Sequence, residues 1–175
     1  MKPEFEFKKV AVLATNHIER TYGLRVVWRD LPDGVTGDLD GEEIVLDTEN
    51  DPETELYVLL HLFGHTTQWN TDPALRRLGY ERPIHASPEK MQQIHEYEQC
   101  ASRIGLTLLN EIGHGELREW LSRFFEADWS FLQVLYTSGE HTPMEVQWDC
   151  PCELLAPLPV PAFVPHVFEH RQAFE

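Results

Sequence analysis

His61 and His65 stand four residues apart in the run Leu59-Leu60-His61-Leu62-Phe63-Gly64-His65. On a helix about 40° separates their directions, so both imidazoles can reach one ion. They lie inside an otherwise apolar stretch, where two uncompensated imidazoles would be costly. Two arrangements satisfy them: a bound metal ion, or the hydrogen bonds of a packed core. A zinc ion wants a third protein ligand and leaves a position for water, and the segment downstream offers Glu98, with Glu96 and His95 close by. A second pair, His166 and His170, frames Glu169 in the inverted order of a zinc motif. It follows a proline-rich stretch near the C-terminus, with no room for a long helix or a downstream ligand helix. Its expected use is at most to lend Glu169 to the first site as a surrogate base. Cys150-Pro151-Cys152 could bind metal or form a redox pair, but two thiols without a matching second pair read better as free thiols.

These residues need elements to hold them. An apolar pattern through Leu56, Leu59, Leu60 and Phe63, opened by the cap signal Asn50-Asp51-Pro52-Glu53, predicts a buried helix from Pro52 to Trp69 carrying both histidines. Ser87-Pro88-Glu89 repeats the start signal. The stripe Ile94, Tyr97, Ala101, Ile104 and Leu108 then predicts a packed helix from Pro88 to Ile112 that carries Glu98. After Gly113 and Gly115, the residues Leu117, Trp120, Leu121, Phe124, Phe125, Trp129 and Leu132 mark a further helix from Glu116 to Ser138 with a wide apolar face. Ahead of the histidine helix, a first helix is expected from Lys8 to Tyr22, its inner face formed by Val10, Leu13, Ile18 and Tyr22 and its end set by Gly23. Three short strands follow, at Leu24–Trp28, Val35–Leu39 and Glu42–Asp47. A two-residue Asp40-Gly41 hairpin would join the last two, giving a small antiparallel meander. The fold class is α+β.

Composition bounds the rest. The 175 residues allow one sizeable core, expected over residues 1–139. Residues 140–175 contain prolines at 143, 151, 157, 159, 161 and 165, which forbid a long helix. The apolar residues among them predict a tail packed on the domain or on a partner. With 14 Lys and Arg against 30 Asp and Glu, the formal charge of -16 repels phosphate backbones, so direct nucleic-acid binding is not expected. No apolar run approaches membrane-spanning length. Three cysteines cannot close a disulfide set, so a reducing, cytoplasmic setting is expected.

The run from Leu59 to His65 resembles the zinc helix of gluzincin-type peptidases, Gly64 included. The segment from Glu98 to Gly105 is similar to their downstream helix, in which a ligand Glu is followed by Ala three residues later and usually by Asp four residues later. The order of elements from Lys8 to Ile112 further resembles the ImmA/IrrE family, whose members cleave repressors in bacteria and mobile elements. The resemblance implies a metallopeptidase-like (zincin-like) fold, one Zn2+ held by His61, His65 and Glu98, and a protein or peptide partner. It also exposes two departures. Leu62 stands where the family has the Glu that polarises the zinc-bound water, and leucine has no titratable group. Ser102 stands where Asp would orient a histidine ligand. The implied function is that of a degenerate metallopeptidase with a binding or regulatory role. The alternatives are an active zinc hydrolase with a relocated base and a metal-free interaction module.

Overall fold

The computed structural model describes residues 6–168 and 171–174. The chain runs through α1 (Phe7–His17), a π-helical turn (Ile18–Tyr22), β1 (Arg25–Arg29), β2 (Val35–Leu39), β3 (Glu43–Asp47), α2 (Pro52–Thr71), α3 (Pro73–Tyr80), α4 (Pro88–Glu111), a short 3-10 turn (Gly115–Leu117), α5 (Arg118–Ser138) and β4 (Arg171–Phe174). The class is α+β, as expected.

Three helices begin with the same chemistry. Asp51, Asp72 and Ser87 each accept hydrogen bonds from backbone N–H groups of the following turn, and each is followed by proline at the first helical position. The side-chain oxygen satisfies donors that have no intrahelical partner, while proline lacks the N–H that would have been orphaned. Asp72-Pro73 carries the same signal as the other two, yet α3 was not among the elements expected from the sequence.

α2 is the axis of the molecule, and every residue from Glu55 to Trp69 is buried. Its first turn is anchored by polar contacts: Trp120 Nε1 donates to Glu53 (3.0 Å), while Lys8 Nζ and Trp28 Nε1 donate to Glu55 (2.8 and 3.1 Å). α1 covers one side with Val10, Ala11 and Ala14, continued by Ile18 of the π-helical turn, whereas Leu13, expected on this inner face, is 47% exposed.

The approach of α2 to α4 is decided by glycine. A Cβ added at Gly64 would lie 2.1 Å from the Ala101 carbonyl oxygen, and one at Gly105 would lie 2.9 Å from that of Leu60. The two backbones therefore meet where the histidines of α2 face Glu98 and Ser102 of α4. Gly64→Ala is expected to force the helices apart and to cost about 1–3 kcal/mol or more, as overpacking does. Thermal unfolding of the zinc-free variant checks this, and an unchanged melting temperature would refute the close approach.

The sheet is mixed and not the expected antiparallel meander. Its order is β1-β3-β2-β4. β2 and β3 form an antiparallel hairpin, but β1 runs parallel to β3, with Arg25 opposite Glu43 and Arg29 opposite Asp47. The 30–34 link therefore carries the chain past the place β3 later fills. Leu31 N donates to Asp47 Oδ1 (3.0 Å), which fastens that link. Buried Glu43 is paired by both Arg25 and Arg29 of β1, so a carboxylate that would be costly alone draws β1 to β3. The hairpin turns on Gly41-Glu42, one residue later than expected, with Gly41 at φ 98° and Asp40 N donating to Glu43 O.

The tail packs against the helices. Leu155 is buried and its N–H donates to Ser122 Oγ (3.0 Å), Leu158 N donates to Arg103 O (3.1 Å), and the Phe163 ring stacks on Tyr22. β4 then pairs antiparallel with β2. No helix among the described residues is long and apolar enough to cross a membrane.

Candidate metal centre

His61 and His65 project from one face of α2, one turn apart, and Glu98 meets them from α4. His61 Nε2 lies 3.0 Å from Glu98 Oε2, His65 Nε2 lies 2.8 Å from the same oxygen, and the two Nε2 atoms are 2.9 Å apart. Hydrogen bonds alone do not account for this triangle. An imidazole Nε2–H points at one acceptor, so three mutually close atoms cannot all be linked by well-directed hydrogen bonds. Three donor atoms converging on one point is the arrangement that a cation would organise. All three residues are buried.

The outer ring nitrogens are held as well. His65 Nδ1 is 2.8 Å from Gln68 Oε1, and Gln68 Nε2 donates to the Tyr97 carbonyl (2.9 Å). With its amide nitrogen committed to a carbonyl, Gln68 presents its oxygen to His65, which holds a proton on Nδ1 and would leave Nε2 as the lone-pair donor once an ion replaces the Nε2 proton. His61 Nδ1 lies 3.1 Å from Ser102 Oγ. Gln68 was not foreseen, although it sits three residues after His65 on the same helical face.

Burial by itself would push the Glu98 carboxyl up. The charge of His65 and the hydrogen bonds from both imidazoles outweigh it and hold the group well below the usual carboxylate range. Glu98 is therefore a carboxylate, as a metal ligand must be.

A second acidic group shares the site. Asp128, on α5, lines the same cavity as His61, His65 and Glu98, and accepts a hydrogen bond from Tyr57 Oη (2.7 Å). The Tyr57 ring stacks on His61, with centroids 5.6 Å apart. Burial raises the Asp128 pKa; His61 opposes this, Glu98 adds to it, and the Tyr57 hydrogen bond opposes it. Burial also raises Tyr57 well above its ordinary value, reinforced by Asp128 and Glu98 and weakened by Ser102. The sequence does carry a signal for Asp128: it stands four residues after Phe124 and four before Leu132, an acid within an apolar stripe.

Other candidates lie elsewhere. Glu96 is exposed and accepts from Gln92 Nε2 (2.8 Å), while the His95 ring sits against Phe125 and Trp129. Leu62 lines the cavity as an apolar wall, packed toward Gly37 of β2. Cys150 and Cys152 are free thiols, and neither belongs to the ligand group. His166 is exposed, with its N–H donating to Asn70 Oδ1 (2.9 Å), and Glu169 and His170 lie outside the described residues.

No family model, curated protein or solved structure matches this chain.

Two imidazole nitrogens and one carboxylate oxygen are the donor set of a mononuclear zinc site with one open position. A four-coordinate zinc with bonds of about 2.0–2.1 Å would set its donors roughly 3.3 Å apart, a small outward adjustment from the observed 2.8 to 3.0 Å. The residues fit the ion.

Proposed function

We propose that the chain binds one divalent ion, zinc by preference, through His61, His65 and Glu98, and that the site serves binding or regulation on a metallopeptidase-like scaffold whose hydrolytic step is impaired. The observation that carries this reading is the triangle of donor atoms, each histidine held at its other nitrogen by Ser102 or Gln68. Bound zinc would polarise a carbonyl and lower the pKa of a coordinated water to near 7. Leu62 offers no group to take that water's proton, which is why the proposal is a binding site in preference to an efficient peptidase. The resemblance of the Leu59–His65 and Glu98–Gly105 segments to gluzincins, and to the ImmA/IrrE family in particular, supports the scaffold. Three free thiols support a reducing, cytoplasmic setting.

Elemental analysis of purified protein tests the metal. One zinc per chain is expected in the wild type and none in a His61→Ala, His65→Ala double variant. Glu98→Gln is expected to lower zinc affinity far more than Glu96→Gln, since only Glu98 faces the histidines. Equal metal content in wild type and double variant would remove the site.

A second reading, a working hydrolase with a relocated base, is favoured by one observation. Asp128 is a buried carboxylate in the same cavity. It replaces Glu169 as the group to test for that role.

A further inference from the structure

We infer that the cavity beside the donor triangle takes a small amphipathic molecule, a hydrocarbon body with one metal-seeking head that pairs an anionic oxygen with an N–H or O–H, as a hydroxamate does, and not an extended polypeptide. The inference rests on the metal reading above and names what its open position receives.

The cavity measures about 310 Å³ and is bounded by Leu39, Val58, Leu62, Ile84, Leu132 and Leu135, with the triad, Asp128, Arg82 and His141 supplying its charged and polar groups. That is the composition of a small-molecule site: mostly apolar walls with a few convergent polar groups, at the lower end of the roughly 300–1,000 Å³ that such sites span. Leu62 is part of the recognition. A carboxylate in its place would put charge against the hydrocarbon body of a ligand, whereas leucine continues the apolar wall.

The polar end selects the head. Two neutral imidazoles and one carboxylate leave a divalent ion with a net positive charge and one open position, which an anionic oxygen satisfies. Tyr57 is the one hydrogen-bond partner of Asp128 among the described residues, and it bonds Oδ2 alone. Asp128 Oδ1 is thus left for an N–H or O–H of the bound head.

The sheet argues against a polypeptide. Extended peptides commonly bind by adding a strand to an open sheet edge. β2 is the strand beside the site: Thr36 and Leu39 line the cavity, and Gly37 packs on Val58 and Leu62. Both of its edges are taken, by β3 on one side and β4 on the other. A chain that must pair with β2 would first have to displace β4.

Straight-chain hydroxamates titrated calorimetrically into zinc-loaded wild type, with zinc content measured on the same sample, test the inference. Affinity is expected to rise about fourfold per added methylene, so hexanohydroxamate should bind at least about a hundredfold tighter than acetohydroxamate. Ile84→Asp, at a position that is 64% exposed, and Leu132→Trp, which fills the cavity, should each weaken octanohydroxamate at least about tenfold. Both should leave zinc content unchanged and weaken acetohydroxamate far less than octanohydroxamate. A flat chain-length series in zinc-loaded protein, or tighter binding of a capped tripeptide hydroxamate than of hexanohydroxamate, would overturn the ligand class while leaving the metal site standing. Absence of zinc from the wild type would overturn both.

Discussion

Leu62→Glu is expected to raise hydrolysis of a short-chain acyl anilide by about 10²–10⁴-fold over zinc-loaded wild type, which itself should cleave the anilide and unstructured polypeptides barely above background. Bound zinc activates water and polarises a carbonyl, but cleaving an amide also requires a proton delivered to the leaving amine. A positioned acid/base group contributes roughly 3–5 kcal/mol of barrier lowering, and Leu62 cannot supply it. The substitution is not free, because Leu62 is 2% exposed and packed toward Gly37, so a glutamate there should weaken the zinc-free fold. Rates must therefore be taken per bound zinc. If wild type cleaves as fast as Leu62→Glu and a His61→Ala control does not, the impaired-enzyme reading is wrong and Asp128 becomes the base to examine.

Asp128→Asn separates the two readings of that carboxylate. The folded-state pKa of Asp128 is raised, so its contribution to stability is present below its unfolded-state pKa near 3.8 and is lost as pH rises through the folded value. At neutral pH the buried charge is a cost. Asparagine keeps an oxygen for Tyr57 Oη and removes the charge, so the variant should melt no lower than wild type at pH 7. Loss of residual hydrolysis together with unchanged or increased stability would assign Asp128 a part in the chemistry. A lower melting temperature would make it a structural anchor between α2 and α5.

Zinc loading should stabilise the fold by about 4 kcal/mol when free zinc is a thousandfold above its dissociation constant. That corresponds to a rise in melting temperature of roughly 8–16 °C, at about 2–4 °C per kcal/mol for a chain of this size. The His61→Ala, His65→Ala variant should show no zinc-dependent shift. Acid should erase the shift in wild type, because the ligands must be deprotonated to hold the ion. The zinc-free protein has its own acid dependence. Glu98 has a depressed folded pKa, so the stability it contributes is present above the unfolded value near 4.5 and is lost as pH falls through the folded one. Acid unfolding of zinc-free wild type and Glu98→Gln should therefore converge at low pH, and a constant difference down to full protonation would contradict the ion pair between Glu98 and the histidines.

What could be read in the sequence was local. The four-residue spacing of His61 and His65 fixes their common face as soon as α2 forms, and α2 is announced by Asp51-Pro52 and a continuous apolar run. Glu98 is singled out from Glu96 by the resemblance of its segment to the gluzincin downstream helix, and the fold buries Glu98 while leaving Glu96 exposed. Contacts between distant segments were decided by the tertiary structure. A strand's composition does not name its neighbour, so the parallel pairing of β1 with β3 and the closure of β2 by β4 emerge only once Glu43 finds its arginines and the tail crosses the sheet. Asp128 sits 67 residues from His61 along the chain, and no periodicity links them. Packing of α5 on α2 through Tyr57 brings that carboxylate to the cavity. Helical periodicity acts over a few residues of one segment, whereas the site is completed by side chains whose proximity depends on how whole elements pack.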